Sequence, residues 1–198
     1  AFVDRILKKP EGVVSCELTA YELDRGLVPG LESTLSACCN AMNRRGIHTD
    51  FKVVAGSFVD TAETVQPSLF GHEWQGYTHA VLNPPYRKIN TDSEVRRTLA
   101  KAGIETSNLY SAFVWLALLQ LTSGGELVAI TPRSFCNGSY FRPFRLALLS
   151  NASLESIHVF ESRADAFADD EVLQENVIVH LRRAVAQAPR VSVVQSHG

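Results

Sequence analysis

The amino-acid sequence predicts an α/β fold in which helices cover both faces of a mostly parallel sheet. Two observations lead to this prediction. Short apolar runs typical of strands alternate with longer segments of helical periodicity along most of the chain. Strands that are joined through helices form parallel pairs by right-handed crossovers, and ligands bind such sheets beyond the carboxyl ends of the strands.

The first third of the chain predicts two strands around one long helix. Residues 1–9 have the pattern of the end of a helix, which Pro10-Glu11-Gly12 closes. The segments that follow are a strand at 13–23, a helix at 31–45, a strand at 51–58 and a polar, irregular loop up to Gly76.

The remainder of the chain continues the alternation. A short buried strand at 77–82 must end before Pro84, because proline has no backbone N–H for a sheet ladder. Gly124 and Gly125 are expected to end a helix and to start a strand. The other predicted segments are helices at 91–102, 108–121 and 141–149, strands at 126–131, 154–160 and 176–181, and a polar tail.

Composition favours an ordinary globular domain. The chain has 198 residues, 45% of them hydrophobic and 20% charged, with no membrane span and no signal-peptide pattern. The four cysteines lack paired spacing and the six histidines lack metal-ligand spacing, so we predict a reducing cytoplasm and no metal site. A net charge of −2 argues against a chain that holds nucleic acid through its overall charge.

The segment Asn83-Pro84-Pro85-Tyr86, called the NPPY motif below, directly follows the apolar residues 80–82. An exocyclic aromatic amine is a poor nucleophile, and two acceptors around its NH2 group would localise the lone pair. The Asn83 side-chain carbonyl and the Pro84 backbone carbonyl can supply them, since both residues precede prolines and are held extended. Tyr86 offers a ring face for a planar base. The structural alternative is a proline turn that ends a strand.

With its flanking segments, the motif resembles the methylase subunits of restriction–modification systems, chiefly adenine-N6 DNA methyltransferases. The similar stretches are residues 79–89, 103–106, 108–110, 130–138 and 173–178. The resemblance implies a Rossmann-like class I methyltransferase domain over residues 1–198, with S-adenosyl-L-methionine as cofactor. It also implies methylation of a flipped adenine in double-stranded DNA, without a metal, in a bacterial or archaeal cytoplasm. A cognate or fused restriction endonuclease is the implied protein partner.

The cofactor-binding residues that the resemblance implies are Glu22, Leu23, Ser57, Phe58 and Asn83. A carboxylate at Glu22 would accept hydrogen bonds from the ribose hydroxyls, and Leu23 would cover the adenine of the cofactor. The family carries an acid before the aromatic residue of the next strand, whereas this sequence has the weaker acceptor Ser57 before Phe58. Capping of the next helix by Glu22 and Asp24, and a core position for Phe58, are the alternatives.

The resemblance also implies that Tyr86 and Phe167 stack on the two faces of the target base; the alternative for Phe167 is a hydrophobic loop anchor. Four further residues are candidate contacts to DNA phosphates or base edges, although each is also an ordinary surface residue. They are Lys88, Arg133, Asn137 and Arg142. The polar run Gln174-Glu175-Asn176 receives no role.

Two features of the family's pattern are missing from the sequence. The first strand and the glycine-rich loop that binds the methionine part of the cofactor do not precede the helix at 1–9. The family also has a target-recognition region C-terminal to the catalytic part, and none is visible within these residues. We therefore expect a fragment of a larger protein, because a missing central strand would leave backbone groups unpaired.

Two alternatives to DNA adenine methylation stay open. The same motif serves methyltransferases of glutamine side chains in release factors, and similar motifs serve RNA guanine, because an amide nitrogen poses the same lone-pair problem. A non-catalytic interaction module is the other alternative, which Ser57 and the missing glycine loop favour slightly. The stretches 132–135 and 173–178 favour DNA.

Overall fold

The computed structural model describes residues 2–65, 76–160, 175–184 and 186–196. The chain forms two compact units, Ala1–Asp60 and Thr61–Gly198, and each is described by itself. The interpretation of residues 1–198 as one catalytic domain stays a prediction. No helix within the described ranges is long and apolar enough to cross a membrane.

The first unit contains one parallel strand pair and two helices. Its elements are α1 (Phe2–Lys8), β1 (Ser15–Glu22), α2 (Val28–Asn43) and β2 (His48–Ala55). Proline stands in the first turn of α2, where its missing N–H would have no partner in the helix anyway. β1 and β2 pair from Ser15 opposite His48 to Glu22 opposite Ala55, so both strands end at the same edge. β2 therefore ends before the predicted limit of 58.

The described residues of the second unit form a five-stranded sheet in the order β3-β4-β6-β5-β7. Its elements are β3 (Tyr77–Leu82), α3 (Glu94–Lys101), α4 (Leu109–Leu119), β4 (Leu121–Pro132), α5 (Arg142–Asn151), β5 (Ala152–Phe160), β6 (Asn176–Arg183) and β7 (Ser192–Ser196). α4 packs against β3 and β4, and α5 packs against α4 and β5.

The sheet of the second unit is mixed, and β6 is the strand that departs from the predicted, mostly parallel arrangement. β3 is parallel to β4, and β5 is parallel to β7. β6 lies between β4 and β5 and runs antiparallel to both. Antiparallel neighbours need no crossover helix between them. β7 lies in the segment that was predicted to be a polar tail.

The glycine pair has a different role from the predicted one. α4 ends at Leu119, and Gly124 and Gly125 lie within β4 rather than before it. Between the paired residues Tyr77–Leu121 and His79–Glu126, β4 contains three more residues than β3, which is a bulge. Gly124 has φ +77°, a conformation that glycine adopts without strain.

The core of the second unit lies between α4 and one face of the sheet. α4 is buried around most of its circumference, through Leu109, Tyr110, Ser111, Ala112, Val114, Leu116, Ala117 and Leu118. Leu127, Ala129, Val179 and Leu181 are buried on β4 and β6. The Arg183 guanidinium donates hydrogen bonds to the carbonyls of Leu118 at 3.0 Å and Leu121 at 2.9 Å, at the end of α4 and the start of β4. This core packs against β3 and β4 and thereby fixes the strand end at which the NPPY motif begins.

We expect Gly76→Ala to lower the free energy of unfolding of the full-length protein. A Cβ atom at Gly76 would lie 2.8 Å from the Gln120 carbonyl oxygen and 2.9 Å from the Thr122 nitrogen, where β3 and β4 begin. Such overpacking against backbone should cost about 1–3 kcal/mol in urea unfolding. Gly30→Ala is the control, since nothing lies within 4 Å of its Cβ position and alanine favours the helix. Equal effects of the two substitutions would contradict the close approach.

Candidate active site

The NPPY motif begins where β3 leaves the sheet. Leu82 opposite Ala129 is the last pair of the ladder between β3 and β4, and the prolines that follow have trans peptide bonds. Asn83 is exposed and Pro84 is buried. The first proline therefore packs against the protein, while the asparagine side chain stays accessible to a ligand.

Tyr86 is held by its hydroxyl group and by its ring. The phenol donates a hydrogen bond of 3.2 Å to the backbone carbonyl of Ile130, on β4 just beyond the last residue that pairs with β3. The ring meets Tyr110 edge-on, with centroids 6.2 Å apart and an interplanar angle of 83°. Burial raises the pKa of Tyr86, so it stays a neutral donor at physiological pH. The half-buried ring is thus fixed at the end of the motif.

The chain just after the motif is tied to the start of α4. Lys88 and Asn108 form an isolated antiparallel bridge. The Ile89 amide donates to the Ser107 carbonyl at 2.8 Å, and the Leu109 amide donates to the Arg87 carbonyl at 2.9 Å. Because β3 holds its other end, the motif is anchored on both sides.

Aromatic side chains support Tyr86 from behind. Tyr110 on α4 is 3% exposed and lies 5.6 Å from Phe141 and 6.4 Å from Phe144, measured between ring centroids. Burial raises the pKa of Tyr110 well above its usual range. Sequence reasoning gave Tyr110 no role, although its apolar helix and the run Asn108-Leu109-Tyr110 were visible. It is the packing partner of the predicted stacking residue.

At the carboxyl end of β1, two acidic side chains shape a turn. The Glu22 carboxylate accepts a hydrogen bond of 2.8 Å from the Asp24 amide, and the Asp24 carboxylate accepts one of 2.8 Å from the Gly26 amide. α2 begins after Leu27 without a side-chain cap, so the helix-capping alternative for the acids is wrong. Leu23 is 65% exposed beside this turn. A carboxylate and an accessible apolar side chain therefore lie together at this strand end.

At the end of β2, Ser57 and Phe58 lie next to that turn. The Gly56 amide donates a 2.9 Å hydrogen bond to the Glu22 carbonyl, which joins the two strand ends. The Ser57 hydroxyl accepts a hydrogen bond of 3.2 Å from the Val59 amide. Phe58 contacts Tyr21 edge-on at 5.2 Å and is half-buried rather than a full core residue. The first unit therefore brings its four predicted cofactor-binding residues to one edge.

The predicted DNA-contact residues differ in what holds them. Lys88, Asn137 and Arg142 are exposed. The Arg133 side chain forms an ion pair of 3.2 Å with Glu175, and its amide donates to the Glu175 carbonyl at 2.7 Å. Arg133 therefore has a structural contact that competes with a role in DNA binding. Phe167 lies outside the described residues.

Arg145, which has no predicted site role, holds the loop that carries Asn137. Its guanidinium donates to the carbonyls of Phe135 and Asn137, both at 2.9 Å, and of Gly138 at 2.6 Å. Three carbonyls on one guanidinium fix the path of the loop between β4 and α5.

Asn176 is a buried polar residue to which sequence reasoning gave no role. It is 2% exposed and lies opposite Pro132, where β6 starts. Neither atom of its amide has a hydrogen-bond partner within the described part of the chain. Its burial results from strand pairing, which the sequence does not show.

A protein-family model described as Eco57I restriction-modification methylase matches residues 38–167. The Type II methyltransferase M.BsuBI of Bacillus subtilis is 45% identical over 190 residues, which are 94% of this chain and 36% of that protein. The Type II methyltransferase M.PstI of Providencia stuartii is 45% identical over 185 residues, 93% of this chain and 36% of that protein. The chain thus spans about a third of the length of these curated relatives.

A crystal structure from Listeria monocytogenes, described as a class I S-adenosylmethionine-dependent methyltransferase, superposes with a TM-score of 0.62. The superposition covers 98% of this chain and 63% of the other, at 12% sequence identity. At this identity the likeness concerns the fold alone. It confirms the predicted class I methyltransferase fold.

We expect Arg145→Gln to destabilise the second unit and to expose the loop at 135–138 to proteolysis. The substitution removes hydrogen bonds to three carbonyls, which should lower the free energy of unfolding by about 1–3 kcal/mol. Denaturant unfolding and limited proteolysis of the full-length protein measure this effect. Arg142→Gln, an exposed position on the same helix, is the matched control and should have little effect. Identical unfolding curves for the two variants would rule out the loop-holding role.

Proposed function

Because the chain belongs to the Eco57I restriction-modification methylase family, we propose that its protein methylates N6 of adenine in DNA. S-adenosyl-L-methionine would be the methyl donor, and the reaction would be the modification activity of a restriction–modification system. The observation that carries this proposal is the NPPY motif at the end of β3, with Asn83 exposed and Tyr86 anchored to β4.

The chemistry depends on two acceptors. The amino group of adenine is a weak nucleophile because its lone pair is delocalised into the ring. The Asn83 side-chain carbonyl and the Pro84 backbone carbonyl would accept one hydrogen bond each from this group and localise the lone pair on nitrogen. Acceptors that are fixed before the reaction need no reorganisation as positive charge develops on the amine. Burial of Pro84 and the anchors on both sides of the motif support such preorganisation.

Tyr86 would supply a ring face for the target base. A base inside the duplex cannot reach the methyl donor, so the adenine has to leave the stack. The phenol bond to Ile130 and the contact with Tyr110 hold the ring, which lowers the entropy lost when a base stacks on it. Phe167 remains our proposal for the ring on the other face of the base.

The edge formed by β1 and β2 has groups that fit S-adenosyl-L-methionine. Glu22 would accept hydrogen bonds from the ribose hydroxyls, while Leu23 and Phe58 would contact the adenine of the cofactor. Leu23 is accessible for this contact. Ser57 fits less well than the acid it replaces, because its oxygen already accepts from the Val59 amide. The cofactor, when bound, supplies the methyl group on a sulfonium centre, and the protein residues hold and orient it.

Adenine in DNA is preferred over glutamine or RNA guanine for one reason. The family match extends well beyond the NPPY motif, over residues 38–167, and the family's description names restriction–modification. The same match, together with the accessible motif, argues against a purely structural interaction module.

Asn83→Ala in the full-length protein should reduce methylation of DNA by about 100- to 1,000-fold, the usual effect of removing one preorganised hydrogen-bonding group. Binding of S-adenosyl-L-methionine should change little. Transfer of tritiated methyl groups to unmethylated DNA, followed by nucleoside analysis for N6-methyladenine, measures the effect and identifies the product.

Asn40→Ala, an exposed position on α2, serves as the matched control and should keep full activity. If DNA methylated by the wild-type protein contains the methyl group on a base other than adenine, the assignment of the target base is wrong. Normal methylation by Asn83→Ala would overturn the role of the motif.

Glu22→Gln should weaken binding of S-adenosyl-L-methionine by about tenfold, because an amide accepts hydrogen bonds from hydroxyls less strongly than a carboxylate. The amide oxygen can still accept the bond from the Asp24 amide, so the turn should persist. Calorimetry on the full-length protein measures the affinity. Glu17→Gln removes the same charge from an exposed position on β1. Indistinguishable affinities of the two variants would exclude Glu22 from the cofactor site.

A further inference from the structure

An exposed tyrosine in the second unit has an unusual set of neighbours. Tyr140 is 60% exposed and precedes α5. Its hydroxyl shares a hydrogen bond with the Ser107 hydroxyl and accepts a bond of 3.3 Å from the Asn108 side-chain amide. Asn108 stands at the N-cap position of α4 but makes no side-chain capping bond. Its amide is directed to the tyrosine instead.

Two cations act on the same phenol. The hydrogen bond with Ser107 lowers the pKa of Tyr140, and the Asn108 bond and the charges of Lys88 and Arg96 lower it further against the effect of burial. These groups stabilise negative charge at the phenol oxygen. A phenol in such surroundings is a stronger hydrogen-bond donor to an outside acceptor than one in water.

Lys88 and Arg96 retain N–H donors that are available to a ligand. Lys88 is exposed, and Arg96 uses one nitrogen for a bond of 3.0 Å to the Thr106 carbonyl. Among the described residues, no carboxylate forms an ion pair with either side chain. A guanidinium has five N–H donors, so Arg96 can still bind an anion.

This surface is linked to the NPPY motif in two ways. Lys88, two residues after Tyr86, pairs with Asn108 through the backbone. The Tyr140 ring lies 4.8 Å from Phe141, which contacts Tyr110, the partner of Tyr86. An anion bound here would therefore contact Lys88, two residues after Tyr86, and Tyr140, which is connected to the Tyr86 ring through Phe141 and Tyr110.

We propose that Tyr140, Lys88 and Arg96 form a docking site for a backbone phosphate of the DNA strand that carries the target base. The proposal rests on the proposed function. A phosphate takes hydrogen bonds from hydroxyl groups and ion pairs from lysine and arginine, the three groups present here. Since the net charge of these 198 residues is −2, any contact that they make with DNA phosphates depends on local groups of this kind.

Anisotropy titrations of the full-length protein with a labelled random-sequence duplex at several salt concentrations test the proposal. Lys88→Gln should reduce the slope of log affinity against log salt by about one, the value for one lost phosphate contact. Tyr140→Phe keeps the ring on Phe141 and should weaken binding about three- to tenfold, because one hydrogen bond at a solvent-exposed position is lost. Affinity for S-adenosyl-L-methionine should not change.

Arg97→Gln is the matched control for charge, because it removes a cation from the next residue of α3, whose guanidinium is bonded to the Asp92 carbonyl. Its salt slope should remain close to that of the wild type. If Lys88→Gln and Tyr140→Phe bind the duplex as the wild type does, while the wild type methylates DNA, the docking site is refuted and the proposed function survives. A wild-type protein that never methylates DNA would refute the proposed function itself.

A free anion is the competing ligand. Phosphorus NMR of inorganic phosphate in the presence of the protein measures binding of a free anion and so distinguishes a free-anion site from a DNA-phosphate site. Phosphate binding that Tyr140→Phe abolishes, without any change in DNA affinity, would assign the site to a free anion and overturn the DNA assignment. A loss of DNA affinity in Tyr140→Phe with little change in thermal stability would support docking, because a merely structural tie to Ser107 would lower stability and leave DNA affinity unchanged.

Discussion

The site depends on the point at which β3 stops pairing with β4. Pro84 has no N–H to extend the ladder, so the chain leaves the sheet after Leu82 while β4 continues beyond it. The Ile130 carbonyl then lies past the last pair, and the Tyr86 phenol takes it as acceptor. Because Pro84 has no N–H, the ladder ends before it and Asn83 is left exposed. The same ladder end leaves the Ile130 carbonyl to accept the hydrogen bond of the Tyr86 phenol, whose ring would stack on a base.

The strands that could be predicted well are those whose limits are set locally. The strand predicted at 77–82 matches β3, because a proline ends it and the glycine before it makes the close approach to β4. The strands that were predicted poorly are those whose limits or direction are set by pairing with a neighbouring strand. A glycine pair is a signal for a turn and also for a bulge, and only the pairing with β3 identifies Gly124 and Gly125 as a bulge. The direction of β6 and the existence of β7, an edge strand with exposed valines, likewise follow from neighbouring strands.

The candidate site divides in the same way. The NPPY motif could be identified from the sequence because pre-proline geometry is a local property and its four residues are contiguous. Tyr110 and Tyr140 could not be identified, since their roles come from contacts with residues 24 to 33 positions away in the chain. The capping role considered for Glu22 failed for a local reason that the sequence hides: the carboxylate bonds the amide two residues later, and α2 starts further on.

The arrangement of cations is compatible with the proposed binding of a polyanion by a chain whose net charge is −2. Arg145 and Arg183 direct their guanidinium groups to backbone carbonyls, and Arg133 faces Glu175, so these charges hold loops and strand ends in place. A phosphate needs a cation whose donors are uncommitted, which depends on local contacts and not on the sum of charges. Lys88 meets that requirement at a position two residues beyond Tyr86. A phosphate held there would restrain the strand close to the nucleotide that has to turn out of the helix, so that binding and base extrusion would use the same anchored segment.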